Sequence, residues 1–283
     1  MIFGFFRKKK PDDSLSPIQM LMSGFVGVIG PKYLIAPLDT IKISKIIHGN
    51  KSNSILWNEI LMQGFPRLFH GFACDLIRIP NQTIFRYILF DELRYFMNRS
   101  IADMISATAA SVVSHPVDVI HTLMISNPVK YPTISKTAYK IWQTDGINGF
   151  LRGIHPTLIG YIPYRSVMFA SEIILHKYPI KNSPVLDFLV HGTVLTCAQF
   201  ATYPFDVARK RMIADESVRG MNFVGVIRDT YQTRGFKGLY SGFGTTIARI
   251  YAFTYLQHKC TKLAQEFLHN FNYLLRKHEF EDI

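Results

Sequence analysis

The chain is organised as long apolar segments separated by short polar stretches. Six long segments are predicted to be helices, over about residues 17–47, 72–98, 101–126, 154–177, 184–213 and 243–263. Three short amphipathic helices are predicted between them, around residues 54–62, 133–144 and 222–233. None of the long segments is an uninterrupted apolar run of about twenty residues, so hydropathy alone would miss several of them as membrane spans.

The same six-residue pattern closes three of the long helices. It reads Pro37-Leu38-Asp39-Thr40-Ile41-Lys42, then Pro116-Val117-Asp118-Val119-Ile120-His121, then Pro204-Phe205-Asp206-Val207-Ala208-Arg209. Each hexad follows an apolar run, and each is followed by a glycine-rich stretch that ends in Gly71, Gly153 or Gly242. The chain therefore contains a threefold internal repeat.

The hexad has a specific physical meaning in an apolar helix. Proline removes one backbone hydrogen bond and kinks the helix. The acid and the base that follow are three residues apart and share one face. Buried charges of this kind need partners, and three copies around a pseudo-threefold axis let each acid pair with the base of a neighbouring repeat. Three accidental Pro-x-Asp triplets are the alternative, which the matching positions disfavour.

This pattern resembles that of the mitochondrial carrier family, whose motif is Pro-x-(Asp/Glu)-x-x-(Lys/Arg). The match runs from about Pro17 to about Leu263. The resemblance implies an all-α membrane protein with six transmembrane helices, arranged as three tandem two-helix repeats with pseudo-threefold symmetry and three short matrix helices. It also implies a single carrier domain over 1–283, with repeats at about 17–98, 99–180 and 183–265. A multi-pass location in the mitochondrial inner membrane follows from the same resemblance.

Composition narrows the classes of partner. Of the 283 residues, 48% are hydrophobic and the net charge is +12, which favours a helix bundle with anionic partners. No zinc-finger spacing or RNP-like motif is present, so nucleic acid is not expected. The sequence has no Walker loop, HExxH, nucleophile elbow or CxxC pair, so no enzymatic activity and no metal are expected. Bound cardiolipin is the one lipid cofactor that the resemblance implies.

The resemblance implies a ring of ion pairs on the matrix side. The expected pairs are Asp39 with His121, Asp118 with Arg209, and Asp206 with Lys42. Histidine replaces the usual lysine or arginine in the first pair, and a neighbouring carboxylate favours the protonated imidazole, so this pair is expected to respond to pH. The bracing glutamines of the family are replaced by Ile46, Ile125 and Ile213.

The opposite, cytoplasmic gate is less complete in the sequence. Asp91 and Arg94 fit the family motif of aromatic-acid-x-x-base. Glu172 lacks the aromatic neighbour and the base, and Lys259 follows Tyr255 without the acid. One gate is therefore expected to be mostly present and the other largely missing, although a carrier needs both in balance.

A basic cavity is expected between the two gates. Counting seven residues beyond the three repeat glycines gives Arg78, Gly160 and Arg249, the family's substrate contact points. Tyr161, Lys32 and Arg165 are expected to join them, a set similar to that of ADP/ATP-type carriers. Converging cations in a low-dielectric cavity attract phosphate or carboxylate, and Gly160 would leave a slot for a flat ring. Structural arginines satisfied by helix ends are the alternative.

A lipid site is expected where each even-numbered helix begins. Glycine at a helix start leaves backbone N–H groups open to an anion, and in the family these places hold cardiolipin phosphates. The residues concerned are Gly71, Gly153, Gly242 and Arg152. Plain turn glycines are the alternative.

Two functions follow from these observations. The first is a carrier that exchanges a small anionic metabolite, with nucleotides among the candidates, by alternating access. The second is a carrier-derived structural subunit of a larger inner-membrane (respiratory) complex, with protein partners and little or no transport.

Both ends of the chain carry apolar groups next to charges. Met1 to Phe6 followed by Arg7 to Lys10 is predicted to anchor at the membrane surface, with a frayed tail as the alternative. In the tail 266–283, a stripe with helical spacing is predicted to face lipid, the rim of the carrier or a protein partner. Its members are Phe267, Leu268, Phe271, Leu274 and Leu275.

Overall fold

A computed structural model describes residues 17–49, 62, 64–177 and 184–281 of the chain. Within these ranges all regular structure is helical. The α-helices are α1 Pro17–Ile47, α2 Phe72–Leu93, α3 Arg99–Ser126, α4 Ile134–Phe150, α5 Ile154–Lys177, α6 Pro184–Ala214, α7 Phe223–Leu239 and α8 Phe243–Glu281. Two short 3₁₀ helices cover Phe65–Phe69 and Glu216–Val218.

Most helices begin and end close to the predicted residues. The bounds of α1 and α5 are those predicted, while α2 ends at Leu93, earlier than expected. Helices α4 and α7 run further than predicted because each continues across a glycine with positive φ, 59° at Gly146 and 65° at Gly235. Only glycine adopts such a conformation at little cost, so each of these helices consists of two helices joined at a kink.

Several predicted segments lie outside the described residues. They are most of the short helix at 54–62, the N-terminal stretch 1–10 and the boundary near 178–183. Two helical stretches, Ile154–Leu175 and Val185–Ala214, are long and apolar enough to cross a membrane, judged by length and composition.

The chain divides into two compact units. The smaller unit combines residues up to Leu34 with residues from Ala252 onward, and the larger covers Ile35–Tyr251. Within the smaller unit, a Cβ atom placed on Gly27 would overlap the Thr261 hydroxyl group, so glycine here allows α1 and α8 to approach closely.

The larger unit is held together by helix pairs and one main apolar cluster. Helix α2 packs against α3, α5 packs against α6, and α3 also packs against α6. The cluster draws its side chains from four helices: Cys74, Val119, Ile120, Leu123, Met124, Ile141 and Ile213. Because these side chains are buried, the ends of α3 and α6 that carry the second and third hexads are fixed relative to α2 and α4.

Two arginines tie the junction of α6 and α7 to the end of α1. Arg211 is 2% exposed and donates hydrogen bonds to Asp215 (3.0 Å) and Asp229 (2.9 Å). Arg234 donates to the carbonyl oxygens of Ile46 (2.8 Å) and Ile47 (3.0 Å). Those carbonyls belong to the last turn of α1 and lack partners within the helix, so Arg234 acts as its C-terminal cap.

Candidate functional site

The three repeat glycines contact the three hexad bases in cyclic order. A Cβ atom would approach the next hexad in each case: 2.9 Å from the His121 ring at Gly71, 3.1 Å from the Arg209 carbonyl oxygen at Gly153, and 3.3 Å from the Lys42 carbonyl oxygen at Gly242. The glycine of the third repeat thus contacts the hexad of the first. Any side chain at these glycines would push the hexads away from the starts of α2, α5 and α8.

A second contact links each of two hexads to its own repeat. His115, which precedes Pro116, is fully buried, and its Nε2 lies 2.9 Å from the carbonyl oxygen of Arg152. The Tyr203 hydroxyl, before Pro204, donates to the carbonyl oxygen of Ser241 at 2.8 Å. Both carbonyls belong to the residue before the repeat glycine. His115 therefore has a structural partner within its own repeat.

Two of the three expected ion pairs form between hexads. Lys42 Nζ lies 2.9 Å from Asp206 Oδ2, and Arg209 lies 2.5 Å from Asp118 Oδ2. Gln199 also donates to Asp206 at 3.1 Å, although it was not predicted. These pairs join α1 to α6 and α6 to α3.

The third junction differs from the expected pairing of Asp39 with His121. Asp39 Oδ1 lies 3.4 Å from Arg249, while His121 Nε2 lies 3.9 Å from Asp75 Oδ2, which is too long for a hydrogen bond. The physical reason is reach and charge. The imidazole is shorter than a lysine or arginine side chain, and the permanently charged Arg249 is the stronger partner for Asp39.

The two predicted contact arginines are bound to carboxylates of the same cluster. Arg78 lies 2.5 Å from Asp75 and 3.1 Å from Asp118. Arg249 contacts Asp39, as described above. Both arginines therefore bind acids of the hexads, Asp118 and Asp39, whereas the alternative expectation was that helix ends would be their partners.

The whole charge cluster has a small positive excess. Its acids are Asp39, Asp75, Asp118 and Asp206, and its bases are Lys42, Arg78, Arg209, Lys210 and Arg249. With His121 neutral, five bases face four acids, which leaves a net charge of +1. An anion that enters this cluster therefore meets more donors than the acids can satisfy.

Sequence reasoning missed two members of this cluster. Asp75 has no counterpart in the other repeats, and only its position three residues before Arg78 could have indicated a pair. Lys210 lies 3.3 Å from Asp118 and donates to Thr122 at 2.8 Å. Lys210 directly follows Arg209 in the sequence, but the hexad motif assigns it no role.

Gly160 does not leave the open slot that was expected. A Cβ atom there would lie 3.2 Å from Cβ of Phe205, so the missing side chain allows α5 to approach α6. The neighbouring Tyr161 hydroxyl bonds to Ser111 of α3, which also accepts a hydrogen bond from Gln82 at 3.2 Å. Tyr161 therefore stands in a polar row that joins α2, α3 and α5.

Arg165, another expected cavity base, binds a different carboxylate from Arg78. Arg165 forms an ion pair with Asp103 of α3, and Arg86 of α2 contacts the same carboxylate. Lys32 is half-buried on α1 and belongs to the smaller unit.

The expected cytoplasmic gate residues form local contacts. Asp91 and Arg94 pair with each other at 2.8 Å, one turn apart and both well exposed. The Lys259 ammonium lies 5.9 Å from the centre of the Tyr255 ring on its own helix. The side chain of Glu172 lies outside the described residues. The contacts given above for Asp91, Arg94 and Lys259 are therefore local, each between residues three or four positions apart.

The start of α8 lines a basic cavity of about 450 Å³. The basic residues of its lining are Lys45, His48 and Lys237, and Gly49, Tyr240 and residues 241–245 complete it. Gly242 has a φ of 80°, which turns the chain into the helix. A helix start beside three basic side chains has the chemistry to hold a phosphate group.

In the second repeat, the base that was expected to bind lipid is already paired with an acid. Arg152 forms an ion pair with Asp145 of α4, which also pairs with Arg219. Burial alone would raise the pKa of Asp145, but hydrogen bonds from Arg219, Thr144 and Arg152 outweigh it and lower the pKa below its usual value.

Known proteins share this sequence pattern. The mitochondrial adenyl nucleotide antiporter SLC25A24-A of Xenopus laevis is 29% identical over 257 residues, 82% of this chain and 54% of that protein. The human mitochondrial adenyl nucleotide antiporter SLC25A24 is 28% identical over 251 residues, with 79% and 52% covered. The calcium-binding mitochondrial carrier protein SCaMC-2-A of Danio rerio is 29% identical over 234 residues, with 73% and 50% covered. The chain spans about half the length of these curated relatives.

A family model supports the same assignment. The model described as "Mitochondrial carrier protein" matches residues 93–183 and 180–272, which together make up more than half of the chain. These matches include the second and third hexads and their repeat glycines. The chain belongs to the mitochondrial carrier protein family.

Proposed function

We propose that this chain is a multi-pass carrier of the mitochondrial inner membrane that exchanges a small anionic metabolite by alternating access. Adenine nucleotides are the substrate class that we favour, because two of the relatives are named adenyl nucleotide antiporters. The observation that carries the proposal is the cluster in which Arg78 shares Asp118 with the hexad base Arg209, and Arg249 contacts the hexad acid Asp39.

The proposed architecture is three two-helix repeats with six membrane-spanning helices. The cyclic glycine contacts support it, because the third repeat contacts the first as the first contacts the second. A linear array of repeats would leave the terminal repeats without this contact.

The shared carboxylates suggest how an anion would act on the gate. A phosphate group that binds Arg78 and Arg249 competes with Asp118 and Asp39 for the same guanidinium groups. Each arginine that turns toward the anion leaves its carboxylate with fewer donors. Binding in the cavity would thus loosen the ring that closes the matrix side, which is the differential interaction that a population shift requires.

We also propose that the cavity at the start of α8 holds a cardiolipin phosphate. Its size, its three basic side chains and the adjoining helix start support this assignment. The proposed sites at Gly71 and Gly153 rest on the repeat alone.

No observation favours the structural-subunit alternative. The side chains of the tail from 271 onward lie outside the described residues, so the predicted docking stripe gains no support from the structure. The relatives named above are described as antiporters or as a carrier.

Counter-exchange of labelled ATP by the purified protein in liposomes tests the proposal. We expect uptake by the wild type and its loss in Arg249→Ala and in Arg78→Ala. Arg249→Ala is expected to disturb the fold less, because Arg249 forms an ion pair with one acid whereas Arg78 forms ion pairs with two. Arg219→Gln removes an exposed arginine that pairs with Asp145 and serves as the control. Absence of exchange by the wild type, or normal exchange by both folded alanine variants, would overturn the assignment.

A further inference from the structure

One carboxylate of α3 lies between two arginines from different helices. Asp103 Oδ1 accepts a hydrogen bond from Arg86 of α2, and Asp103 Oδ2 contacts Arg165 of α5. Each guanidinium group therefore contacts one oxygen of the same carboxylate. The cluster joins three helices of the larger unit and carries a net charge of +1.

The chemistry of this cluster fits a phosphate group better than a carboxylate. A guanidinium presents a planar fork of donors that can bind two oxygens of one anion at the same time. A phosphate group offers more oxygens and more negative charge to two facing forks. The side chains of Arg86, Asp103 and Arg165 are 29%, 27% and 20% exposed, so the cluster is not sealed inside the helix bundle.

The cluster is separate from the arginine nearest the hexads. Arg86 stands eight residues beyond Arg78 on α2, about 12 Å along the helix, and the two arginines contact different carboxylates. Between them, Gln82 donates to Ser111, whose hydroxyl also bonds to Tyr161. The polar face of α2 therefore offers two arginine positions with a neutral position between them.

We propose that Arg86 and Arg165 form a second binding site for the phosphate group of the transported anion, with Asp103 as an exchangeable occupant. This inference rests on the proposed transport function. An arriving phosphate displaces the Asp103 carboxylate from the two guanidinium groups, and the carboxylate takes them back when the anion moves on. The carboxylate thereby keeps the site from holding its ligand too tightly.

A purely structural role makes a different prediction. If Asp103 only braces the three helices, its removal weakens the fold and leaves affinity for phosphate unchanged or lower. If Asp103 competes with the ligand, its removal tightens phosphate binding while the stability falls or stays the same. Affinity and stability therefore separate the two roles.

The test uses full-length purified protein and titrates inorganic phosphate by calorimetry. Asp103→Asn keeps the shape and removes the charge, and we expect it to bind phosphate about tenfold more tightly than the wild type, since the competing acid is lost. Glu266→Gln is the matched control, because it removes one acid from the exposed Lys262–Glu266 pair of α8. Equal affinity in Asp103→Asn and Glu266→Gln would overturn the proposal.

A second variant decides the question if Asp103→Asn does not fold. Arg86→Lys keeps the positive charge and the ion pair with Asp103 but lacks the fork. We expect its phosphate affinity to fall several-fold at an unchanged unfolding temperature. Unchanged affinity in folded Arg86→Lys would mean that the arginine acts only as a brace, which contradicts the proposal.

The phosphate titration is independent of transport. If the wild type exchanges no ATP but Asp103→Asn still tightens phosphate binding, the site stands and the transport function fails. If exchange is normal and both variants bind phosphate as the wild type does, the transport function stands and the second site fails.

Discussion

At the scale of single residues, the histidine of the second hexad leaves one junction of the ring weakly connected. Lys42 and Arg209 make close ion pairs across the other two junctions. His121 lies 3.9 Å from Asp75 and makes no hydrogen bond to it. The ring therefore closes on two strong junctions and one weak junction.

Replacing this histidine with a lysine should add an ion pair between α3 and α2 beside the weak junction. An ammonium group on the longer side chain reaches Asp75, and a hydrogen bond to a charged group contributes about 1 to 3 kcal/mol. We expect His121→Lys to raise the unfolding temperature and to slow ATP exchange in liposomes, because the closed matrix side gains stability. His121→Gln, which adds no charge, is the control. Faster exchange by a less stable His121→Lys protein would contradict this interpretation.

The ring pairs could be predicted because the repeat fixes them. The three copies make the repeated acid and base visible, and the resemblance to the carrier family implies the pairings of Asp118 with Arg209 and of Asp206 with Lys42. Asp75 and Asp103 could not be predicted in this way, because each occurs once and a lone acid in an apolar helix has no periodic signal. The partner of a single charge depends on packing between helices, which only the coordinates show.

At the scale of elements, the contacts between α6, α7 and the end of α1 depend on an acid at the end of α6. Asp215 accepts hydrogen bonds from Arg211, and Arg234 lies 3.7 Å away. Burial raises the pKa of Asp215, while hydrogen bonds from Ser217 and Arg211 lower it, and the net effect is a pKa below its usual value of 3.8. This acid therefore stabilises the fold in its ionised form.

The sign of the pKa shift predicts how stability depends on pH at this junction. A carboxyl whose pKa is lowered by folding contributes its full stability above its unfolded pKa, and the contribution is lost as pH falls through the folded pKa. We expect the contribution of Asp215 to stay constant from pH 7 to about 4 and to decline below.

Thermal unfolding of the wild type and of Asp215→Asn, from neutral pH to below about 4, measures the contribution of Asp215 to stability. The difference in unfolding temperature should be constant near neutrality and should shrink in acid. A difference that grows as the pH falls below about 4 would mean that the acid stabilises the fold in its protonated form.

Sequence patterns predicted the helices better than their kinks. The bounds of α1 and α5 follow from apolar runs that end in glycine or proline. The sequence predicts that the short helices end at about residues 144 and 233, whereas the chain continues in helical form beyond Gly146 and Gly235. The sequence shows that a glycine is present, but the positive φ that reorients the helix is set by the packing on both sides.

At the scale of the whole molecule, the formed ring pairs predict which side is open at rest. Both strong junctions belong to the matrix-side ring, whereas Asp91 and Arg94 pair only locally. We therefore expect the resting carrier to be open toward the intermembrane space. In a cysteine-free background, Gln82→Cys should react with a membrane-impermeant thiol reagent added from that side. Reaction from the matrix side alone would reverse the predicted orientation.

The C-terminal end of the chain is predicted to be dispensable for folding. Helix α8 continues without a break to Glu281, so the predicted tail extends the last long helix. The larger unit ends at Tyr251, and deletion from Gln265 onward is expected to leave its unfolding transition in place.

Migration of the truncated protein on native gels tests the sequence-based hypothesis of a docking tail. That hypothesis predicts that full-length protein migrates with a larger complex and that the truncated protein does not. A full-length protein that runs only as a monomer, or a truncated protein that keeps its complex, would refute it.

The glycine contacts between repeats have a mechanical consequence. They connect the first repeat to the second, the second to the third and the third back to the first, so the chain of contacts is a loop without a free end. A tilt of α2, α5 or α8 presses on the hexad of the next repeat, so the displacement is passed around all three repeats. The three helices are therefore expected to tilt together. States in which only one of them has tilted should be short-lived, even though the three ion-pair junctions differ in strength.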